Sequence, residues 1–502
     1  MNKPQKKSIK KNFIFNLIYQ VILVIVPIIT TPYVSRVLHS YGIGQYSFSY
    51  SITSYFVVFA NFGFFLYAQR EIAKYQDNRE KQTKLFYEIF ILKFLITLVA
   101  ITTYFGIINL SIFNEYKILL YILSPLIISV GFDISFLLTG NENFEALASI
   151  NSLIKITSLV LIFIFVKKES DLWIYTLLGS ASSFIAATIY IFIARKYLVK
   201  IDFKTLNFKQ HFVPALKLFI PTVAITVYSA IDRTMLGFII KGKQEVVSEF
   251  GVVEKNISDI EIGNYDQAER IIKLVNAVFY AFGNVLIPRN SYYYKNGMMK
   301  ELRDNIYKSM KFCYFLALPA MFGIISIAYN FSPWFYGDGY DKVPLLLSLF
   351  SPFFIFAGMN FIFGNQYLVV INKDNVYTTS VIIGAISNVI LNLLLIEKFM
   401  AVGSAIASVS AELIVLIYQL SYLKKEFPLK DIIKPIIKYF DASLIMFFVT
   451  YTLSQYLVSS IINTVIIAAS GILVYFGLLL LFKEEFTIQF SKKAIGFLKK
   501  KH

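Results

Sequence analysis

Apolar residues run through this chain in long blocks separated by short polar stretches. Blocks of about 20 residues match the length a helix needs to cross a bilayer. In order, they predict helices at 12–34, 45–67, 86–107, 117–138, 147–166, 172–193, 213–238, 268–288, 311–331, 344–367, 377–396, 402–423, 437–458 and 463–482. The pattern therefore predicts an all-α integral membrane protein of about 14 transmembrane helices. No connection exceeds about thirty residues, so no extramembrane domain of ordinary size is expected. The first block, from Asn12 to Val34, is too long for a signal-peptide core and is followed by further spans, not a cleavage site. It is expected to be a mature first helix.

Lysine and arginine are distributed unevenly about these helices. With the first terminus inside, the inner tails and loops hold 33 of the 48 basic residues and the outer loops 9. The positive-inside rule then places both termini in the cytoplasm. Basic loops beside anionic lipid account for the net charge of +17 without nucleic acid as a partner. The longest outer connection, Ile240 to Gln267, carries six acids (Glu245, Glu249, Glu254, Asp259, Glu261, Asp266) against three lysines. An outward segment has no reason to be basic, so this agrees with the orientation.

Composition narrows the class further. With 57% hydrophobic and 16% charged residues and a mean hydropathy of +0.63, the chain has more apolar surface than a soluble protein could bury. A single cysteine, Cys313, and three scattered histidines, His39, His211 and His502, exclude a disulfide framework and a metal cluster. No nucleophile elbow, phosphate-binding glycine loop, zinc helix or aspartate-rich loop is present, so neither an enzyme nor a cofactor is expected.

The chain also repeats. Gly44 and Tyr46, leading into the second block, match Gly263 and Tyr265, leading into the eighth, at an offset of 219 (263 minus 44). Phe62 and Gly63 with Arg70 match Phe282 and Gly283 with Arg289 at offsets of 220, 220 and 219. Six helices separate the copies, and an even number preserves orientation, so two parallel six-helix lobes are expected, with two extra helices at the C-terminal end. The lobes are assigned to 1–212 and 213–425, and the remaining helices with a basic cytoplasmic tail to 426–502. Such lobes leave a cleft at their interface that can open alternately to either side.

Ionisable groups inside spans need a partner or a cavity. Lys155 lies near the middle of the fifth span, Lys93 in the third, Lys217 in the seventh, and Arg233, Arg270 and Lys273 in the outer parts of the seventh and eighth. Lys217 and Lys273 are close enough to the interface to snorkel. Lys155 is too deep for that and reads as either a cavity-facing cation or half of an ion pair. Arg36, Arg70 and Arg289 sit at helix mouths, where interfacial anchoring and phosphate binding both suit them. The acids Asp133, Asp232 and Glu412 are candidates for a proton or sodium site, against a structural role in bridging helices. Asn388 and Asn392 stand four apart on one face of the eleventh span and read best as polar glue.

Several motifs then resemble a family. Thr31-Pro-Tyr-Val-Ser-Arg-Val-Leu, Tyr41-Gly-Ile-Gly-Gln-Tyr-Ser-Phe, Tyr67-Ala-Gln-Arg-Glu-Ile-Ala, Ile231-Asp-Arg-Thr-Met-Leu-Gly and Leu286-Ile-Pro-Arg resemble segments of polysaccharide repeat-unit flippases. The similarity continues through Leu318-Pro-Ala-Met-Phe-Gly to Gly403-Ser-Ala-Ile-Ala-Ser-Val-Ser-Ala-Glu. These belong to the multidrug/oligosaccharidyl-lipid/polysaccharide exporter superfamily. The resemblance implies alternating access and a cargo of undecaprenyl-diphosphate-linked oligosaccharide, carried from the cytoplasmic to the outer leaflet of a bacterial plasma membrane. Capsule, exopolysaccharide or O-antigen assembly would follow, with a polysaccharide polymerase and a chain-length regulator as partners. It also implies that the two extra helices flank the lipid tail, and the acidic segment Lys241 to Asp259 looks longer than the family's usual connection.

On this reading Arg36, Arg70, Lys155, Arg233, Arg270 and Arg289 form a cationic cleft for the diphosphate. A drug exporter of the same superfamily would favour acids for organic cations. A membrane glycosyltransferase or polymerase would need a large outer catalytic loop, and Ile240 to Gln267 lacks arginine altogether. A scaffold for the assembly machinery would tolerate changes to the cleft charges.

Overall fold

Each of the fourteen apolar blocks is helical in the computed structural model, which describes residues 9–248, 251–484 and 487–488. His502, Glu249 and the basic segments 1–8 and 489–502 lie outside the described residues. The helices are α1 (Ile9–Asn61), α2 (Phe64–Lys74), α3 (Arg79–Ile108), α4 (Lys117–Phe132), α5 (Ser135–Gly140), α6 (Phe144–Phe165), α7 (Leu172–Ala194) and α8 (Lys209–Ile239). A hairpin of β1 (Lys243–Ser248) and β2 (Gly251–Asn256) follows, then α9 (Ile257–Lys295) and α10 (Met299–Tyr336). The chain continues through α11 (Val343–Phe350), α12 (Phe353–Phe361), a π-helical segment Ile362–Leu368 and α13 (Asp374–Leu423). It closes with α14 (Leu429–Ile433), α15 (Ile436–Tyr456) and α16 (Ile461–Leu481). Among the described residues, eleven helical stretches are long and apolar enough to cross a membrane.

Blocks predicted as separate helices run together where the connection is short. Residues 12–34 and most of 45–67 share α1, which changes direction at His39 (φ 54, ψ 175) and ends at Asn61. Residues 377–396 and 402–423 share α13, bent at Met400 (φ 53, ψ −129). One left-handed residue redirects the chain without unwinding its neighbours, so few backbone groups lose helical partners at the membrane edge. Side chains on the first half of α1, including Leu17, Val21 and Ile25, are exposed in the isolated protein, as lipid-facing positions should be.

The structure corrects the long outer connection. Residues 240–267 are not a loop: 243–256 form the antiparallel hairpin with Val246 opposite Val253, and α9 begins at Ile257, eleven residues before the predicted start. Asp259, Glu261 and Asp266 are therefore buried helical residues and not solvated loop acids.

Packing divides the chain into two compact units, 1–263 and 264–502, with the border inside α9. The sequence places the first lobe's border at 212/213; here α8 packs with the first unit against α1 and α2. The first unit's core gathers Phe64, Ile72, Ile89, Phe136 and Leu137. In the second unit, α15 and α16 are fastened to α10 by polar contacts: Trp334 Nε1 donates to Thr464 Oγ1 (2.7 Å), Asn330 Nδ2 to the Leu457 carbonyl (2.8 Å), and Tyr475 Oη to the Phe315 carbonyl (2.9 Å). Such bonds hold helices together where lipid offers no hydrophobic drive.

Candidate functional site

The first unit encloses a polar cavity of about 530 Å³ built from α1, α2, α4, α5, α6 and α7. Its position depends on a break in the fourth predicted span. Residues 117–138 are expected as one helix, but α4 stops at Phe132, and Asp133 (φ −72, ψ 107) leads into the short α5. Two bonds stabilise that break. The Asp133 carboxylate accepts the main-chain N–H of Ser135 (2.9 Å), the first residue of α5, and the Asp133 carbonyl accepts a bond from the Lys93 ammonium (2.6 Å). Lys93 is 1% exposed, and its charge sits where the carbonyl end of α4 is negative. It is a structural cation and does not face the cavity lumen.

Lys155 does line the cavity. It stands one helical turn after Asn151 on α6, and Asn151 Oδ1 accepts the Tyr190 hydroxyl (2.7 Å). Ser182 and Ser183 from α7 complete a wall of neutral hydrogen-bonding groups. Lys155 makes no ion pair among the described residues. Its charge is therefore available to an anion, in a cavity within the usual size range of ligand sites.

A second cavity, of about 790 Å³, shares Asn16, Thr139 and Phe144 with the first. One face of α2 lines it through Leu66, Gln69, Arg70 and Ala73, while the opposite side of that helix buries Phe64, Ala68 and Ile72. Arg70 also has no ion pair among the described residues. The fold thus brings Arg70, Lys155 and Asp133 to adjoining cavities.

The other candidates lie elsewhere. Arg36 donates to the Pro32 carbonyl (2.7 Å) and Arg233 to the Ser229 carbonyl (2.9 Å), each within its own helix. Arg270 pairs with Asp266 at 3.0 Å, and Lys273 with Glu269 at 2.7 Å, both one turn apart on α9. Arg289 is exposed and bonds the Tyr293 hydroxyl at 2.7 Å. Asp232 is buried on α8. Glu412 bridges helices: Asn360 Nδ2 reaches both its main-chain oxygen (2.9 Å) and Oε2 (2.6 Å). Asn392 Nδ2 donates to Asn388 Oδ1 (3.1 Å), Asn388 Nδ2 to Ser408 Oγ (3.3 Å), and the Tyr265 hydroxyl lies 3.1 Å from Ser408 Oγ. This network ties α9 to both halves of α13.

Sequence reasoning passed over Tyr190 and His211. The Asn151/Lys155 spacing was legible as one polar helix face, but Tyr190 stands in an ordinary apolar run and offered no signal.

The second unit holds an apolar groove of about 360 Å³ between α10, α15 and α16, walled by Phe315, Pro319, Met446, Ile472 and Phe476.

Residues 9–293 match the family model described as polysaccharide biosynthesis protein. The chain is 23% identical over 430 residues to a protein of Escherichia coli (strain K12) named "Putative O-antigen transporter", covering 84% of this chain and 97% of that one. It is 27% identical over 224 residues to the lipid II flippase MurJ of Bacillus subtilis (strain 168), covering 41% of each. Among solved structures, a lipid II flippase MurJ in an inward closed conformation has the same fold, with a TM-score of 0.70, 21% identity and coverage of 94% of this chain and 99% of that one. An inward-facing multidrug transporter of the MATE family gives a TM-score of 0.57 at 13% identity, covering 80% and 99%. The named relatives are transporters and flippases, not enzymes.

Proposed function

We propose that this chain, which belongs to the polysaccharide biosynthesis protein family, moves lipid-linked oligosaccharide repeat units from the cytoplasmic to the outer leaflet of a bacterial plasma membrane by alternating access. The carrying observation is the pair of adjoining cavities in the first unit, lined by the cations Arg70 and Lys155, which have no ion pair among the described residues, inside a bundle of membrane-crossing helices. A glycan diphosphate enters hydrocarbon only where fixed polar groups replace its water. Serine, asparagine and tyrosine side chains suit sugar hydroxyls, and the cations suit phosphate oxygens. The apolar groove by α15 and α16 suits a polyprenyl tail. The relatives' names support a saccharide-lipid cargo.

An organic-cation exporter would set free carboxylates in the cavity. Here Asp133 in the 530 Å³ cavity is engaged by the Ser135 main-chain N–H, and Glu142, which lines the 790 Å³ cavity with Arg70, is not free either. Coupling to a proton or sodium gradient is assigned to Asp232 or Glu412 as part of the same proposal.

The test is depletion of the protein in its native host, with lipid-linked oligosaccharide quantified by leaflet alongside surface polymer. Completed units accumulating on the cytoplasmic leaflet with loss of polymer are expected. Completed, unpolymerised units reaching the outer leaflet would replace the flippase reading with a polymerase or scaffold.

A further inference from the structure

His211, at the start of α8, is 2% exposed and engages both ring nitrogens. Nδ1 lies 2.8 Å from the Tyr67 hydroxyl and Nε2 lies 2.6 Å from Glu88 Oε2. Glu88, on α3, is itself buried, and its second oxygen accepts the Asn207 main-chain N–H at 2.6 Å. One proton arrangement satisfies the Tyr67 and Glu88 contacts: Tyr67 donates to Nδ1, and the Nε2–H donates to Glu88 Oε2, which also accepts the Gln210 side-chain amide (3.2 Å). Burying a carboxylate and an imidazole is a weak source of stability compared with apolar packing. What the arrangement does supply is a directional link between α2, α3 and α8.

The end of that link is the helix that carries Arg70. It is only eleven residues long, and it begins after Phe62 (φ 45) and Gly63 (φ 73), with one long side-chain bond on its first turn, from the Phe65 main-chain N–H to Asn61 Oδ1 (3.4 Å). Its buried face (Phe64, Ala68, Ile72) is apolar and therefore does not by itself select one rotation by hydrogen bonding. Tyr67 projects from a different side from the cavity face and is less than one turn from Arg70. A hydrogen bond from Tyr67 to a fixed imidazole sets the rotation of the helix about its axis.

We propose that Tyr67, His211 and Glu88 form a positioning relay that aims Arg70 into the 790 Å³ cavity, so that His211 and Glu88 control capture of the cargo's diphosphate without touching it. The proposal rests on the assignment of Arg70 as an anion-binding residue.

The experiment uses the full chain in membranes with Ala73→Cys as a reporter, because Ala73 lines the same cavity and Cys313 is buried. Inorganic pyrophosphate is the probe, and the readout is its protection of the new thiol from a polar maleimide. Protection is expected in the parent and is expected to weaken about tenfold in Tyr67→Phe and His211→Ala, equivalent to one charge-assisted hydrogen bond. His211→Gln, which keeps a donor for Glu88 and an acceptor for Tyr67, is expected to restore it. Tyr67→Phe preserves the ring and so reports on the link even if His211→Ala fails to fold. Parent-like protection in Tyr67→Phe would overturn the relay while leaving the Arg70 assignment intact. Absence of protection in the parent, or protection that survives Arg70→Gln, would overturn the Arg70 assignment and the relay with it.

Discussion

Gly44 and Gly263 occupy equivalent places in one reciprocal crossing: a Cβ on Gly44 would overlap the main-chain oxygen of Asp259, and a Cβ on Gly263 would overlap that of Ser40. Asp259 and Ser40 are themselves 219 residues apart, the same offset as the two glycines. The sequence repeat is thus expressed as a backbone-to-backbone contact in which each copy supplies one glycine and one carbonyl. Only hydrogen in place of a side chain permits helices to approach this closely.

Gly44→Ala and Gly263→Ala should each destabilise the protein by about 2 kcal/mol or more, because the added methyl meets backbone that cannot rotate away. Gly106→Ala is the control. Nothing lies within 4 Å of a Cβ there, and the residue is inside α3, so a gain of up to about 1 kcal/mol is expected. Thermal unfolding of the purified variants in detergent reads all three.

Arg70→Ala and Lys155→Ala should each lower transport by about tenfold or more while expression stays normal, since each removes from the cavities a cation with no ion pair among the described residues. Arg289→Ala tests the equivalent position in the second copy. Arg70→Lys should recover part of the loss, keeping charge but not the two-pronged geometry. Normal polymer from Arg70→Ala and Arg289→Ala alike would remove both from the site.

The hairpin is fastened to the first unit through Lys255, whose ammonium lies 2.6 Å from Glu169 Oε1 and 4.3 Å from the centre of the Tyr41 ring. Both charges of that pair are mostly shielded from solvent. Lys255→Ala should cost about 1–2 kcal/mol by leaving Glu169 unpaired, and Lys255→Met combined with Glu169→Gln should recover most of it. A double-mutant cycle on thermal stability measures the coupling.

At the break between α4 and α5, Asp133→Ala should lose about 1 kcal/mol of stability by leaving the Ser135 main-chain N–H without its side-chain acceptor, whereas Asp133→Asn should retain it because the amide oxygen accepts the same bond. Transport by Asp133→Asn is expected to keep the wild-type response to ion gradients. A lost response would move the coupling site from Asp232 or Glu412 to Asp133.

Reconstituted protein should transport faster under an inward proton or sodium gradient, and Asp232→Asn or Glu412→Gln should remove that response. Glu412→Gln retains an oxygen for Asn360 and so separates loss of charge from loss of the helix bridge. Transport indifferent to both gradients in the unaltered protein would end the coupling proposal.

Much of the candidate site was legible in the sequence because a charged residue within an apolar run is conspicuous. Lys155 and Asp133 were selected that way and Arg70 by its place at a helix mouth, and the structure places all three at adjoining cavities. Arg270 was selected on the same grounds, yet it pairs with Asp266 on its own helix. The sequence assigned Asp266 to a loop, which hid the one-turn spacing. Tyr190 and His211 were missed because neither residue type is unusual where it stands, and their roles come from Asn151 and Glu88 on other helices.

The sequence by itself determined which segments are helical. In hydrocarbon every backbone group must bond within its own segment, so a run of about 20 apolar residues has one outcome wherever it lies. It also determined the repeat, since glycines at a fixed offset mark places where only hydrogen fits. The tertiary structure alone decided where helices bend and break. The turn at His39, the break at Asp133 held by Lys93, the hairpin on Glu169 and the His211 link each depend on a partner distant in the chain. Such partners meet only when the bundle packs, and local pattern carries no record of them.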